Sequence, residues 1–303
     1  MERSIKNFHE IFSLYDYTFI FINYPVDYLI YSNIEFLLTF LEKNMNSLKV
    51  SDPNGFLYII TDSHLDDLKS PADEFVEMLK KLDTPHTVVC LGDLFKIWLA
   101  PEKYWTDIHF KVFSEFKRLR DIGCNVVFIA GNREMLLPRK YDEIWKKILP
   151  FTHLSNHDLY LRWGKKSYAF VHGDTINYND RKYLIWKSLT HSKIFETLFQ
   201  LIPSFFAKKI AVFLEEILAK ANNEYKIFFP EKEILEFAKS VLNKVDHYFV
   251  GHFHIDRKIK VKGVSGTLRI VPDWLSQKKI LQINKLGEIE VLHFENESLK
   301  KIC

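Results

Sequence analysis

The chain has 303 residues, of which 47% are hydrophobic and 27% charged, enough apolar content to bury one large core. A formal net charge of +3 is too small to mark a nucleic-acid binder. Cys90, Cys124 and Cys303 follow no metal or disulfide spacing, a usage that suits a reducing cytoplasm.

No secretory signal is expected, because Met1 to Glu10 lacks a basic start followed by an unbroken apolar stretch. The aromatic run from Tyr17 to Tyr31 is interrupted by Asn23, Pro25 and Asp27 and is too short to span a bilayer. Asn33 to Asn44 reads as an amphipathic helix. Asp52-Pro53-Asn54-Gly55 is then a strong turn, so 1–54 is expected to be an accessory extension and 55–303 the catalytic domain.

Five short apolar runs follow, and each ends on a metal-type donor. Phe56 to Ile60 leads to Asp62 and His64, Thr87 to Leu91 to Asp93, and Val126 to Ala130 to Asn132 and Arg133. Tyr168 to Val171 leads to His172 and Asp174, and His247 to Val250 to His252 and His254. Each run reads as a buried parallel strand, and in an open α/β sheet the site lies beyond the carboxyl ends of the strands. Gly92, Gly131, Gly173 and Gly251 let the backbone turn at these ends and approach closely. Asp66 and Asp67 are expected to begin a helix, whereas His86, His109, His153, His157 and His293 read as ordinary hydrogen-bonded or solvated histidines.

The stretch from His172 to Gly251 is longer than one crossover helix needs. Helical periodicity runs from Asp180 to about Leu201, Pro203 opens a second helix to about Ala221, and Pro230 with Glu231 and Glu233 opens a third. The middle helix carries a stripe of Phe205, Phe206, Ile210, Phe213, Leu214, Ile217 and Leu218. Residues 180–245 are therefore read as a helical cap that takes acyl chains, with packing of the stripe on the sheet as the competing reading. Asp180 reads equally as a helix N-cap, and Tyr183 as a core aromatic. Leu268 to Pro272, Lys279 to Asn284 and Glu288 to Phe294 read as three strands completing a second sheet.

Oxygen and imidazole donors without thiolate are the set that holds paired divalent cations for phosphate-ester hydrolysis. Arg133 adds a statement about the leaving group: a guanidinium cannot donate a proton near neutrality, but its planar fork matches phosphate oxygens. Such a site suits a group that departs without a proton, such as the phosphate of a pyrophosphate.

The ordered series Asp62-x-His64, Gly92-Asp93, Gly131-Asn132-Arg133, His172-Gly173-Asp174 and Gly251-His252-x-His254 resembles the calcineurin-like metallophosphoesterases. Gly92-Asp93-Leu94-Phe95 with Trp98, Asp174-Thr175 with Asp180 and Tyr183, and Asp273-Trp274 are similar to one branch, the UDP-2,3-diacylglucosamine pyrophosphohydrolases of lipid A synthesis. Departures are Glu134, where that branch favours Asp, and Ala100-Pro101-Glu102, where it has Gly-Asp-Asp. The resemblance implies a two-sheet α/β sandwich flanked by helices. It implies one metal on Asp62, His64, Asp93 and His254, and a second on Asp93, Asn132, His172 and His252, manganese being expected and iron or zinc compatible. It further implies that Asp93, Asn132 and Arg133 act in catalysis, with attack by a hydroxide bridging the metals. Arg133, Asp174, Asp180 and Tyr183 would touch an acylated nucleotide sugar, in a cytoplasmic protein at the inner face of a membrane with neither nucleic acid nor an obligate protein partner. A phosphodiesterase or nuclease of this fold, and a non-catalytic scaffold, are the alternatives.

Overall fold

A computed structural model describes residues 46–66, 71–203, 206 and 229–302. The run Tyr17–Tyr31, the helix read over Asn33–Asn44, Asp67, and the apolar stripe apart from Phe206 lie outside those residues.

In the first half of the chain, strands β1 (Asn46–Val50), β2 (Phe56–Ile60), β3 (Pro85–Cys90), β4 (Trp98–Leu99), β5 (Asn125–Ile129), β6 (Glu134–Met135) and β7 (His153–Ser155) alternate with helices α1 (Ala72–Lys80), α2 (Asp107–Asp121) and α3 (Glu143–Ile148). Then come β8 (Leu159–Trp163), β9 (Lys166–Val171), α4 (Arg181–Thr190), α5 (Lys193–Gln200), α6 (Glu231–Val241) and β10 (His247–Val250). The chain closes with β11 (Arg257–Lys260), β12 (Thr267–Ile270), α7 (Trp274–Gln277), β13 (Lys279–Ile283), β14 (Ile289–Glu295) and β15 (Ser298–Ile302).

Among the described residues these strands build two large sheets, in the orders β15-β14-β13-β2-β3-β5-β7 and β1-β8-β9-β10-β12-β11, and a small β4-β6 pair. The strand period decides how they pack. Leu57, Ile59, Val89, Val127 and Ile129 of the first sheet face Leu161, Trp163, Phe170 and Phe249 of the second. The alternate residues Tyr58, Ile60, Val88, Val126 and Phe128 meet Phe75 and Leu79 of α1 and Val112, Phe116 and Leu119 of α2. On the far side, Tyr248, Val250, Leu268 and Ile270 meet Ile234, Ala238 and Leu242 of α6. Helix, sheet, sheet and helix therefore form four layers, and both faces of the central strands are buried, which is why those strands read as unbroken apolar runs.

Several expectations change. The five donor-bearing strands do not share one sheet: β2, β3 and β5 lie in one, β9 and β10 in the other. The three C-terminal strands do not form a sheet together either, since β12 joins β10 while β13 and β14 extend the sheet from β2. Alternation fixes which residues face inward, but with apolar side chains on both faces it does not say which sheet a strand joins. Residues 46–50, read as part of the extension, form an edge strand parallel to β8. Asp66 lies 3.7 Å from Lys96, and the first helix among the described residues starts at Ala72 after Pro71; the residues directly after Asp66 lie outside those described. The long helix from Asp180 is two helices, because His191 closes α4 and the Ser192 hydroxyl caps α5 by accepting from Phe195 N–H. Helix α6, read as cap, is the layer covering the second sheet.

Candidate metal centre

The carboxyl ends of β2, β3, β5, β9 and β10 converge at one end of the sandwich. Asp62, His64, Asp93, His252 and His254 all adopt positive φ, between 43° and 68°. Non-glycine residues there are strained by about 1 to 3 kcal/mol each, and such strain concentrates at functional sites. Glycine is required where the loops touch: a Cβ on Gly131 would run into the Asp93 carboxylate, and one on Gly251 would meet Asp62 Oδ2 at 3.1 Å.

Two groups of donors result, Asp62 with His64 and His254, and Asp93 with His172 and His252, each gathered within 4.8 Å. His64 Nε2 lies 3.8 Å from Asp62 Oδ1 and 3.6 Å from Asp93 Oδ2; His254 Nε2 lies 3.6 Å from Asp62 Oδ1. His172 Nε2 lies 3.5 Å from Asp93 Oδ1 and 3.1 Å from Asn132 Oδ1. The separations of 3.5–3.8 Å are too long for hydrogen bonds. They approach the roughly 3 to 3.5 Å between neighbouring ligands on one ion with bonds of about 2.1 Å. Asp62 Oδ1, His64 Nε2 and Asp93 Oδ2 are buried with no hydrogen-bond partner among the described residues. Orphaned acceptors at this density are costly unless a cation completes them, so the residues fit a pair of divalent ions. Asp93 turns one oxygen to each group.

Surrounding contacts aim these donors. Thr61 Oγ1 and His252 N–H donate to Asp62 Oδ2 at 2.6 and 2.8 Å, leaving Oδ1 for the site. His172 Nδ1 donates to the Leu91 carbonyl at 2.6 Å, so Nε2 is the nitrogen turned into the site. The Asp273 carboxylate lies 3.4 Å from His254 Nδ1 and is itself held by Ser276 and Gln277. Glu134 is fully buried and accepts from backbone N–H groups on both the Asp93 and Asn132 loops.

Charge in the site follows the carboxylates. Burial lowers His64 to about 3 and His252 to about 4. Burial alone would lower His172 too, but Asp93, Asp62 and Asp174 raise it to about 9. Burial works against ionised Asp93, yet His172, His64 and Arg133 keep it below its usual range.

Arg133 is 4% exposed, with Nε 3.9 Å from Asp93 Oδ2. Its Nε and Nη1 are buried donors without hydrogen-bond partners among the described residues. Asp174 is also buried; it receives the Tyr183 hydroxyl and, at 2.6 Å, the Lys187 ammonium. Burial would raise Asp174, but Lys187 and His172 hold it well below the usual carboxylate range. The Asp180 carboxylate caps α4 by accepting from Tyr183 N–H at 3.0 Å. Tyr183 is indeed a buried aromatic. A cavity of about 420 Å³ opens beside His172, walled in part by Leu136, Leu137, Arg139, Leu184 and Lys187.

The seven donors and Arg133 named from the sequence lie together at the strand ends, with Thr61, Glu134, Lys187 and Asp273 beside them, none of which the sequence singled out as a site residue. Lys187 was detectable, being one helical turn beyond Tyr183. The Leu91 carbonyl is a backbone contribution that no side-chain pattern reports.

A two-sheet α/β sandwich whose strand ends gather two clusters of buried oxygen and nitrogen donors defines a metal-dependent phosphoesterase. The chain belongs to the calcineurin-like phosphoesterase family, whose profile matches residues 57–256. It is similar to the UDP-2,3-diacylglucosamine hydrolase of Vibrio parahaemolyticus, at 27% identity over 233 residues, covering 75% of this chain and 94% of that protein. The UDP-2,3-diacylglucosamine hydrolase of Wigglesworthia glossinidia brevipalpis is 27% identical over 231 residues, covering 75% and 90%. Among solved structures, vacuolar protein sorting 29 from Cryptosporidium parvum aligns with a TM-score of 0.42 and 10% identity, over 82% of this chain and 95% of that one.

Proposed function

We propose that this phosphoesterase cleaves the pyrophosphate of a UDP-linked diacylated glucosamine, giving UMP and a lipid phosphate. The observation that carries the reading is Arg133, a buried cation beside Asp93 with two donors that have no hydrogen-bond partner among the described residues. Those donors suit non-bridging phosphate oxygens, whose charge grows as the P–O bond breaks, while a leaving phosphate needs no proton from the protein.

Asp62, His64, Asp93 and His254 would hold one cation, and Asp93, Asn132, His172 and His252 the other, with manganese favoured by oxygen and nitrogen donors. Such a pair, when bound, lowers the pKa of water and neutralises charge on phosphorus-bound oxygens. The protein's own part is placement: Asp93 spans the two groups, Asn132 and His172 are held against it, and Arg133 clamps the phosphate. Asp174 ties Tyr183 and Lys187 of α4 to the loop carrying His172, fastening the cavity wall to the metal loop.

For the acyl chains and the membrane, support comes from α4 and α5. Phe199 is buried against Tyr104 and Met135, yet Ile185, Leu189, Ile194 and Leu198 on the same two helices stand 57–74% exposed. An apolar face of this kind suits acyl chains or the inner face of a cytoplasmic membrane. No helix among the described residues is long and apolar enough to cross one. Neither nucleic acid nor an obligate protein partner is part of this reading.

The deciding experiment supplies UDP-diacylglucosamine, a chromogenic diester and nucleic acid separately to the manganese-loaded protein. Release of UMP from the first is expected. Cleavage of nucleic acid without UMP release would replace this substrate by a nuclease's, and no phosphorus release from any of the three would leave a scaffold.

A further inference from the structure

Glu134 is neither one of the seven donors nor a phosphate-facing cation, yet it is fully buried at the centre of the site. One carboxylate oxygen accepts from Gly131 N–H at 2.7 Å and Asp93 N–H at 3.0 Å; the other accepts from Leu94 N–H at 3.1 Å. These three donors sit on the exits of two different strands, one carrying Asp93 and the other Asn132. A buried carboxylate is expensive, and a neutral apolar residue would fill β6 as well as Met135 does. Nothing about strand pairing demands an acid, because β6 meets β4 through its backbone at Trp98 and Leu99.

We propose that Glu134 is a positioning residue that fixes the spacing of the Asp93 and Asn132 loops and thereby the affinity of the centre for divalent cations. Arg133 N–H also donates to Asp93 Oδ1 at 3.0 Å, which sets the carboxylate's rotation, and Trp98 N–H donates to the Arg133 carbonyl at 2.9 Å. The strained backbone at Asp93, φ 51°, is held on its N–H side by Glu134. Releasing that hold lets the residue relax toward an ordinary conformation, swinging its oxygens away from His172 and His64. Contacts of this kind, which orient ligands without touching the ion, are worth about 10 to 100-fold in metal affinity.

The inference rests on the two-cation reading, and calorimetric titration of manganese into the full chain separates the two. Glu134→Gln keeps the shape but turns one N–H toward a backbone N–H. The folded variant should show a dissociation constant raised about 10-fold or more. Its circular dichroism spectrum should be unchanged, and its kcat should recover at saturating manganese. If that variant does not fold, Glu134→Asp, which keeps the carboxyl group and withdraws it by one methylene, is judged by the same constants. A folded variant binding two equivalents as tightly as the unaltered chain would overturn the proposal. Failure of the unaltered chain itself to bind two equivalents would instead remove the cation reading.

Discussion

His254 turns Nδ1 toward the Asp273 carboxylate at 3.4 Å while its Nε2 looks back at Asp62 Oδ1 from 3.6 Å. The two residues lie on opposite sides of a hairpin, so Asp273 fixes both the tautomer and the tilt of the ring from outside the cluster. Asp273→Asn offers an amide in place of a charged acceptor. It should weaken manganese binding about 10 to 100-fold, measured by calorimetry.

Asp93 and Arg133 separate binding from chemistry. Asp93→Ala should remove both the metal content and turnover, because one oxygen serves each donor group. Arg133→Ala should keep two equivalents of metal by elemental analysis yet lose about 10²- to 10³-fold in kcat. Full metal loss in the Arg133 variant would show that its role has been misplaced.

Metal should also stabilise the fold. Asp62 Oδ1, His64 Nε2 and Asp93 Oδ2, buried with no hydrogen-bond partner among the described residues, are a cost to the native state that cations offset. Manganese at a hundred times its dissociation constant should add about 2.7 kcal/mol per site, seen as a rise in Tm that EDTA abolishes. An unchanged melting curve would contradict the assignment of both groups.

A pH dependence comes from a carboxylate far from the centre. Asp246 accepts from Ser167 N–H and Oγ–H at 2.8 and 2.7 Å. Burial is the largest single influence and raises it, but those bonds and Lys166 together bring it below its ordinary value. A pKa depressed on folding contributes stability that is complete above the unfolded value near about 4 and is lost as pH falls through the folded value. Asp246→Asn should therefore be less stable at pH 7, with the gap to the unaltered chain closing below pH about 4. With 41% of the side chain exposed, the gap should be no more than about 1 kcal/mol.

The exposed face of α5 gives the membrane reading its own check. Leu198→Asp should reduce co-sedimentation with anionic vesicles while sparing hydrolysis of a small soluble diphosphate. Equal losses on both would mean that Leu198 supports the fold and not the lipid. Phe213, which the sequence offers for the same purpose, lies outside the described residues.

What the sequence made legible follows from burial. Strands covered on both faces must be continuously apolar, so β2, β3, β5 and β10 stand out, and a polar donor at the end of each is conspicuous. The same coverage hid their partners: nothing in Leu268 or Ile280 says that one strand lies beside Tyr248 and the other beside β2. Helix ends were half visible. Asp180 reads as a cap and is one, whereas the break at His191 and Ser192 is masked by apolar periodicity that continues through both helices. Glu134 was visible only as a departure from the pattern of similar proteins. Its meaning lies in three backbone N–H groups, and main-chain donors have no signature in side-chain order.

Outermost in its sheet among the described residues, β1 lends its backbone to β8 in parallel register from Asn46 opposite Leu159 to Val50 opposite Trp163, with Leu48 and Val50 lying against the inter-sheet core. A shortened version begun at Gly55, where the turn invites a cut, would strip that cover. Bare carbonyls and amides along Leu159–Trp163 would then recruit strands from neighbouring molecules, and the truncated protein should precipitate before it loses its metal-binding loops.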